Sequence, residues 1–342
     1  MTKEKAFKLF SGLTLIFSLL VVLAGALVKA TGAGMGCPDW PKCYGYWVPP
    51  MEEEQVMWSA GKHYGEGVMV IHNHQLFVAL HDISNEKEFS EANWEEYKKH
   101  DYAEYKARHT ITEYLNRLCG AILGIMAILM LYFSISYRKT KPAVFWGSII
   151  TLILILFEGY LGAKVVDSNL KPLKISIHLY FAFLILIAVV FTRSKVLSNV
   201  EVTGKHSKLI HRLLIASLLL LAVQLFLGSN VREAFDHLRL NLESRDLWVD
   251  KADWIFLSHR TFTWLYGGVT GALIYLLFEA KIKHYTIKAI AVLIALNIVT
   301  GVIMGYFAVP QFAQPIHLVF ASLLLTYTSI LLFAFKKSSS EA

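Results

Sequence analysis

Charge and cysteine are both scarce in this chain. Only 17% of its 342 residues are charged, whereas 55% are hydrophobic, and the mean hydropathy is +0.48. So apolar a composition is incompatible with a water-exposed surface, which excludes a large cytosolic enzyme. Three cysteines are too few for a disulfide scaffold. The sequence also lacks a phosphate-binding glycine loop, a dinucleotide fingerprint and a nucleophile elbow in a suitable context, so it indicates neither a nucleotide enzyme nor a hydrolase.

Long apolar runs dominate what is present. A membrane-spanning helix needs about 20 predominantly apolar residues, and eight runs have that length. They cover residues 7–29, 112–135, 143–164, 172–192, 208–231, 254–278, 286–308 and 314–335. We therefore predict an all-α integral membrane protein with eight transmembrane helices.

Lysine and arginine are concentrated in every second connection, which predicts the orientation of the chain. They cluster at the N-terminus, between runs two and three, four and five, and six and seven, and at the C-terminal end. Basic connections face the cytoplasm, so both termini are expected there. The net charge of +7 thus reflects topology and not nucleic-acid binding. The short basic start favours a bacterial cytoplasmic membrane over an organelle.

The same pattern divides the chain into segments. Residues 1–29 form the first helix, 112–192 helices two to four, and 208–335 helices five to eight. Residues 193–207 are expected to be a cytoplasmic linker and 336–342 a cytoplasmic tail. Between them, residues 30–111 form a long acidic outer loop, which we predict to be a folded lid. Its segment SEANWEEYKKHDYAEYKAR is typical of a surface helix capped by Ser90 or Asn93.

A weak internal repeat relates the two halves of the chain. TEYLNRLCGAILG in the second run aligns with IFLSHRTFTWLYG in the sixth and sets Asn116 against His259. ISIHLYFAFLIL in the fourth run aligns with QPIHLVFASLLL in the eighth and sets His178 against His317. Each half has an even number of helices, so the halves share one orientation. We predict two pseudo-symmetric four-helix bundles.

Matched histidines in the second half indicate a bound haem. His259 and His317 lie at similar depth near the outer ends of two inward-running helices. Two such imidazoles can ligate one iron from opposite faces, and small residues such as Gly301 and Gly305 leave room for the macrocycle. The residues alone leave simpler roles open, because single histidines often form interfacial hydrogen bonds and glycines often serve helix packing.

Arginines follow the aligned positions in both halves. Arg117 follows Asn116, and Arg260 follows His259. Either guanidinium can pair with a haem propionate at the outer surface. Either can instead extend to the membrane interface as long basic side chains commonly do. The sequence alone leaves both roles open.

The two halves differ in their polar residues. Glu113 lies three residues before Asn116 and four before Arg117, whereas its counterpart in the sixth run is Phe256. The second half therefore has two histidines and no nearby acid, and the first has His178, an asparagine and a carboxylate. We predict a fixed cofactor in the second half and chemistry in the first. A structural ion pair with Arg117 is the alternative role for Glu113.

Two cysteines lie just outside the first run. Cys37 and Cys43 flank PDWPK in TGAGMGCPDWPKCYG. In an oxidising outer compartment they form either a small disulfide loop or a redox-active dithiol. The histidines of the outer loop match no metal-ligand spacing, so no metal site is predicted there.

Five segments together resemble the haem A synthase family, membrane enzymes that convert haem O to haem A for cytochrome oxidase. They are GALVKATGAGMGCPDWPKCYG after the first run, TEYLNR in the second, IHLYFAF in the fourth, LSHR in the sixth and PIHLVFA in the eighth. The first segment, with its paired cysteines, is the most specific. The resemblance implies an oxidoreductase that acts on a methyl group of haem O.

The resemblance also implies roles for the site residues. It implies that His259 and His317 hold a resident b-type haem, with His178 as the iron ligand of the substrate haem and Glu113 as a polar or proton-handling catalytic residue. The family is thought to oxidise the C8 methyl to a formyl group by successive hydroxylations, with loss of water from the gem-diol. Electrons would reach the site through the resident haem. Implied partners are the farnesyltransferase that makes haem O, an electron donor and the cytochrome oxidase assembly machinery; a homo-oligomer is left open.

One position departs from the family pattern. The helix-two motif commonly reads E-x-x-H-R, whereas this chain has E-Y-L-N-R, with Asn116 at the histidine position. Asparagine is a poor iron ligand, so the substrate haem is expected on His178 alone or with another residue such as His109. A di-haem quinol oxidoreductase with two bis-histidine sites is the alternative function. A membrane transporter is a weaker one, because no broken mid-membrane helix is found.

Overall fold

A computed structural model gives the structure of the protein and describes residues 2–98, 104–197, 200–202, 206–282 and 284–337. Residues 198–199 and 203–205 of the predicted linker lie outside the described residues, as do residues 338–342 of the predicted tail. Residues 99–103, within the predicted outer-loop helix, lie outside them as well.

Eight long helices, each apolar enough to cross a membrane, confirm the eight predicted spans. Most observed ends lie within a few residues of the predicted ones, but the fifth helix extends nine residues further outward. The helices are α1 Lys3–Thr31, α2 Ala107–Ser134, α3 Pro142–Asp167, α4 Pro172–Ser194, α5 Ser207–Leu240, α6 Trp248–Glu279, α7 Tyr285–Tyr306 and α8 Ala313–Ala334.

Local sequence signals explain where several helices begin and end. The Thr2 hydroxyl caps α1 by accepting a backbone N–H of the first turn at 3.3 Å. Gly32 ends α1 in the left-handed conformation with φ 73°. Pro142 and Pro172 occupy the first turns of α3 and α4, where no backbone N–H is needed. Asp253 kinks α6 with φ 38°, so the regular part of α6 begins where the sequence predicted the span.

Helix neighbours follow the same order in both halves of the chain. In the first half α1 packs against α2 and α4, and α3 packs against α4. In the second half α5 packs against α6 and α8, and α7 packs against α8. Contacts of α8 with α1 and α4 join the halves, and the largest cluster of buried side chains runs from α4 to α8. These neighbours are the ones that the repeat leads us to expect, and the symmetric two-bundle arrangement stays a prediction.

The outer loop is folded around a small antiparallel sheet. Strand β1 (Met69–His72) pairs with β2 (Gln75–Ala79), and β2 pairs with β3 (Trp94–Glu96). Asn73 and His74 connect β1 to β2 with φ values of 48° and 62°, as a tight two-residue hairpin turn requires. The all-α membrane part thus carries a small β-structure on its outer side.

The helix predicted within the outer loop is wrong. Residues Glu91–Asn93 form a single 3-10 turn, and Trp94–Glu96 is a strand. Trp94 is buried, its ring lies 5.6 Å from that of Phe89, and its indole N–H donates to Glu86 at 3.0 Å. Burial of the indole in the sheet outweighs the helix propensity of the acidic segment, because strand formation depends mainly on such side-chain packing.

A second, two-stranded sheet lies at the other end of the helices. Strand β4 (Val200–Val202) follows α4, and β5 (Phe335–Lys337) follows α8. The two pair in parallel, with Val200 opposite Phe335. This pairing brings the predicted linker and the start of the predicted tail to the same end of the molecule.

Candidate functional site

His259 of α6 and His317 of α8 lie side by side. Their ring centroids are 6.3 Å apart and their ring planes are inclined by 74°. An imidazole nitrogen binds a metal at ~2 Å, so two imidazoles on opposite sides of one metal ion have centroids roughly 6 Å apart. Neither side chain is fully buried. The separation therefore fits two axial ligands of one iron.

A hydrogen bond orients the His317 ring, whereas His259 is hydrogen-bonded through its backbone carbonyl. His317 Nδ1 lies 2.8 Å from the Thr300 hydroxyl of α7, which leaves Nε2 as the ligand atom. The backbone carbonyl of His259 accepts from the Gln224 amide of α5 at 3.2 Å, and Gln224 also donates to Thr263 at 2.8 Å. His259 Nδ1 is buried and has no hydrogen-bond partner among the described residues. The His317 ring is thus fixed more tightly than the His259 ring.

A glycine of the preceding helix faces each of the four aligned site residues. A Cβ atom placed on these glycines would meet the site side chains at 3.0–3.9 Å. The pairs are Gly25–Asn116, Gly162–His178, Gly228–His259 and Gly301–His317. A glycine thus faces a site residue four times, and each glycine gives the side chain room beside a helix backbone. Gly305, also predicted to leave room for the macrocycle, faces Phe256 instead.

The first half has a different polar set at the corresponding place. His178 of α4 lies beside Glu158 of α3, with Nδ1 3.1 Å from Oε1. The Asn116 side-chain oxygen is buried without a hydrogen-bond partner in the described part of the chain. An unpartnered buried polar atom is costly and is typical of a site built for a ligand. His109 stays a predicted alternative ligand.

Glu113 and Arg117 bind the outer loop. Arg117 Nη2 donates to Glu113 Oε1 at 2.5 Å, and Glu113 Oε2 accepts the Cys37 N–H at 2.8 Å. Arg117 also donates to the carbonyls of Asp39, Lys42 and Cys37 at 2.7, 2.7 and 3.1 Å. The pair therefore clamps the segment that carries Cys37 and Cys43. Both terminal nitrogens of Arg117 have protein acceptors in addition to any propionate role.

The clamped segment is a disulfide loop. Cys37 and Cys43 are bonded to each other, so the predicted disulfide is confirmed. Burial raises the pKa of the Asp39 carboxyl, although it accepts the N–H groups of Gly45 and Tyr44. These contacts fix the loop at the outer end of α2.

Tyr97 ties the sheet of the outer loop to the same segment. Its hydroxyl donates to the Pro38 carbonyl at 2.8 Å. Burial raises the pKa of Tyr97 to about 12, so the phenol keeps its proton at neutral pH. The sheet and the disulfide loop are therefore joined by a hydrogen bond that survives across the physiological pH range.

Arg260 is exposed, and its side chain takes part in none of the hydrogen bonds or ion pairs among the described residues. It lies next to His259 and stays a predicted propionate partner. Across the described ranges, no group of three or more histidine, cysteine, aspartate or glutamate side chains is placed to hold a metal ion. A haem iron needs only axial ligands from the protein, because the macrocycle supplies the rest.

Sequence reasoning missed three polar residues of the site. They are Gln224, Thr300 and Glu158, each inside a membrane-spanning helix. The signal was present, since polar and ionisable residues in apolar spans are costly and generally have a functional partner. Glu158 in particular is an acid within an otherwise apolar run.

Comparison with known proteins identifies the family of the chain. A family model described as "Cytochrome oxidase assembly protein" matches residues 8–70 and 75–329. The chain belongs to this family. The match includes the cysteine segment, six complete helices, most of α1 and α8, and every predicted site residue.

Similar members of the family carry the name haem A synthase. The one from Shewanella oneidensis is 28% identical over 185 residues, which is 54% of this chain and 44% of that protein. The one from Flavobacterium psychrophilum is 23% identical over 96% of this chain and 97% of that protein. The one from Bacillus pumilus is 24% identical over 98% of each. The first alignment thus spans less than half of its relative, whereas the other two span nearly the whole length.

Proposed function

We propose that this protein is a haem A synthase that oxidises the C8 methyl of haem O to a formyl group. The observation that carries the proposal is the asymmetry between the halves. The ring spacing of His259 and His317 fits one iron. The first half has His178 and Asn116 at the two aligned positions. A resident cofactor benefits from two fixed ligands, while a substrate must enter and leave.

In the second half, His259 and His317 hold a b-type haem, which supplies one-electron chemistry when bound. Thr300 orients His317, and Gly228 and Gly301 leave space beside the two rings. These residues would keep the resident haem in one position, where it would supply one-electron chemistry. Arg260 would neutralise one of its propionates.

In the first half, His178 provides the iron ligand for haem O. Asn116, at the position aligned with His259, has a side chain that ligates iron poorly. The iron of haem O would therefore have a single protein ligand, and the haem could exchange. Glu113 and Arg117 hold the disulfide loop at the outer end of the site. The loop would then limit water access to the site, and Glu113 is the group that we propose to handle a proton there.

The proposed reaction defines the partners and the place of the protein. Two successive hydroxylations of the methyl, each a two-electron oxidation by an external oxidant, give a gem-diol, which loses water to give the formyl group. The substrate requires a farnesyltransferase that makes haem O, and the product is destined for cytochrome oxidase. We infer a bacterial cytoplasmic membrane location, with both termini in the cytoplasm.

Purified protein supplied with haem O and an electron-transfer chain tests the proposal. We expect wild type to form haem A, detected by extraction and chromatography, and to show a reduced b-type absorption. His259→Ala and His317→Ala should each weaken or abolish that absorption and haem A formation. His237→Ala, at an exposed position near the outer end of α5, is the matched control and should retain both.

Other outcomes would favour the rival functions. Two permanently bound b-type haems with no conversion of haem O would indicate the di-haem quinol oxidoreductase. A purified protein with no haem absorption would favour a transporter. Absorption that survives both histidine changes would overturn the assignment of His259 and His317.

A further inference from the structure

Glu158 is a carboxyl group inside a membrane-spanning helix that the function proposed above does not use. It lies in the outer half of α3, and its side chain is 11% exposed. Glu113 and Glu158 are the buried acidic side chains of the described spans. Because such residues are costly in a membrane, a specific partner is expected.

The partner is the predicted iron ligand of the first half. Glu158 Oε1 lies 3.1 Å from His178 Nδ1, at an angle outside ideal hydrogen-bond geometry. Within the described part of the chain, neither His178 Nδ1 nor the second carboxyl oxygen of Glu158 has another hydrogen-bond partner. The contact leaves Nε2 free to bind a metal.

Helix α3 holds the His178 ring at two points. Glu158 and Gly162 are four residues apart and therefore lie on one face of α3. A Cβ on Gly162 would lie 3.5 Å from Cε1 and 3.9 Å from Nε2 of His178. The carboxyl group thus contacts the Nδ1 edge of the ring. The glycine allows α3 to approach the edge that carries Nε2.

The second half lacks this carboxyl. The alignment that sets His178 against His317 also sets Glu158 against Asn297. The nitrogen of His317 that corresponds to the contacted one lies 2.8 Å from the neutral Thr300 hydroxyl. The two halves therefore give equivalent histidines different partners, a carboxyl group in the first half and a hydroxyl group in the second.

A carboxylate on the far nitrogen of a ligating imidazole has two effects. It fixes the tautomer and orientation of the ring, and it makes the ligand nitrogen more electron-donating. Its negative charge also favours the ferric iron over the ferrous, because ferric haem carries one more positive charge. A hydroxyl partner fixes orientation without adding charge.

We propose that Glu158 is a positioning residue that orients His178 toward the iron of haem O and lowers the reduction potential of that haem relative to the resident one. This inference rests on the proposed function, because it requires His178 to ligate the substrate haem. It assigns to α3 a part in differentiating the two iron sites.

Spectroelectrochemical titration of the full-length protein, with and without bound haem O, tests the inference. We expect Glu158→Gln, which keeps the shape but removes the charge, to raise the potential of the component that appears with haem O. The iron–imidazole stretching frequency of that component should fall. By analogy with carboxylates behind metal-bound histidines, haem O binding should weaken about 10–100-fold. The resident haem should keep its potential and absorption, which also shows that the variant folds.

Thr300→Val is the matched change in the second half. It should alter the resident component and leave the haem O component unchanged. Glu158→Gln with an unchanged potential and stretching frequency overturns the inference while leaving the proposed function intact. If His178→Ala leaves the haem O component unaffected, the assignment of His178 fails, and the proposed first-half site fails with it.

Discussion

The Glu113–Arg117 ion pair shows how one pair of residues can position an entire segment. The pair lies four residues apart on α2, and its other hydrogen bonds reach the backbone of residues 37–42. Both side chains are largely buried, with exposures of 5% and 14%. Removing one partner of a buried pair leaves the other charge uncompensated, at a cost of about 3–5 kcal/mol. The disulfide loop should therefore depend on this pair for its position.

Glu113→Ala should expose the Cys37–Cys43 disulfide to reductant. We expect its reduction by dithiothreitol to be at least about tenfold faster, since each ~1.4 kcal/mol of lost local stability raises the open population tenfold. Glu113→Gln keeps an acceptor for the Cys37 N–H and should show a smaller effect. Alkylation of freed thiols followed by mass spectrometry measures the rate.

Lys164→Ala is the control for this experiment. It breaks an exposed ion pair with Asp167, 3.1 Å apart, and such pairs contribute little. Its disulfide should be reduced at the wild-type rate. Equal rates in Glu113→Ala and wild type would show that the clamp does not protect the loop.

At the scale of helices, glycines set how closely a neighbour approaches each site histidine. Gly228 of α5 is the tightest case, because a Cβ there would lie 3.0 Å from His259 Cε1. The ring would have to move by a few tenths of an ångström. Alanine otherwise favours a helix over glycine by up to ~1 kcal/mol. Replacing Gly228 by alanine should therefore favour the helix but displace the His259 ring.

Gly228→Ala should keep the protein folded but disturb the resident haem. We expect about tenfold weaker haem binding, equivalent to ~1.4 kcal/mol, and shifted low-spin resonances in electron paramagnetic resonance spectra. Gly268→Ala on α6 is the control, since its Cβ would meet nothing within 4 Å. Unchanged haem binding and resonances in Gly228→Ala would show that this glycine serves helix packing alone.

The helices were predictable from the sequence because a bilayer imposes one rule on every span. Apolar length alone located the eight helices, and the matched depth of His259 and His317 led us to expect that their rings lie close together, as they do. The outer loop follows no such rule. Its β3 strand depends on where Trp94 packs, which is a tertiary contact that local propensity does not contain.

The sequence indicated the candidate ligands of the site but not the side chains that contact them. His178 was found because it repeats at the position of His317. Glu158 was missed because its counterpart, Asn297, is a different residue, so the repeat gave no signal there. Only the approach of α3 to α4 shows that the carboxyl reaches His178.

On the scale of the whole molecule, polar contacts join the two halves at their outer ends. Lys29 of α1 bonds Asp236 of α5 at 2.5 Å, and Gln311 donates to the Ala30 carbonyl at 2.6 Å. At the opposite end, Arg193 of α4 donates to the Lys8 carbonyl and to Ser11 of α1, which joins two helices of the first half. The parallel pairing of β4 with β5 adds a contact between halves at that end. The segments that pair there must lie on one side of the membrane.

Cysteine labelling in intact cells tests the orientation that follows. Thr140→Cys lies in the exposed turn between α2 and α3, and Glu88→Cys lies at an exposed position in the outer loop. Because the α2–α3 turn is basic, we expect it to face the cytoplasm. A membrane-impermeant maleimide should then label Glu88→Cys in intact cells and Thr140→Cys only after the membrane is opened. The chain without an added cysteine reports the background from Cys119, the free cysteine of the described residues. Labelling of Thr140→Cys in intact cells would invert the topology and place the disulfide loop in the reducing cytoplasm, where a stable Cys37–Cys43 bond is not expected.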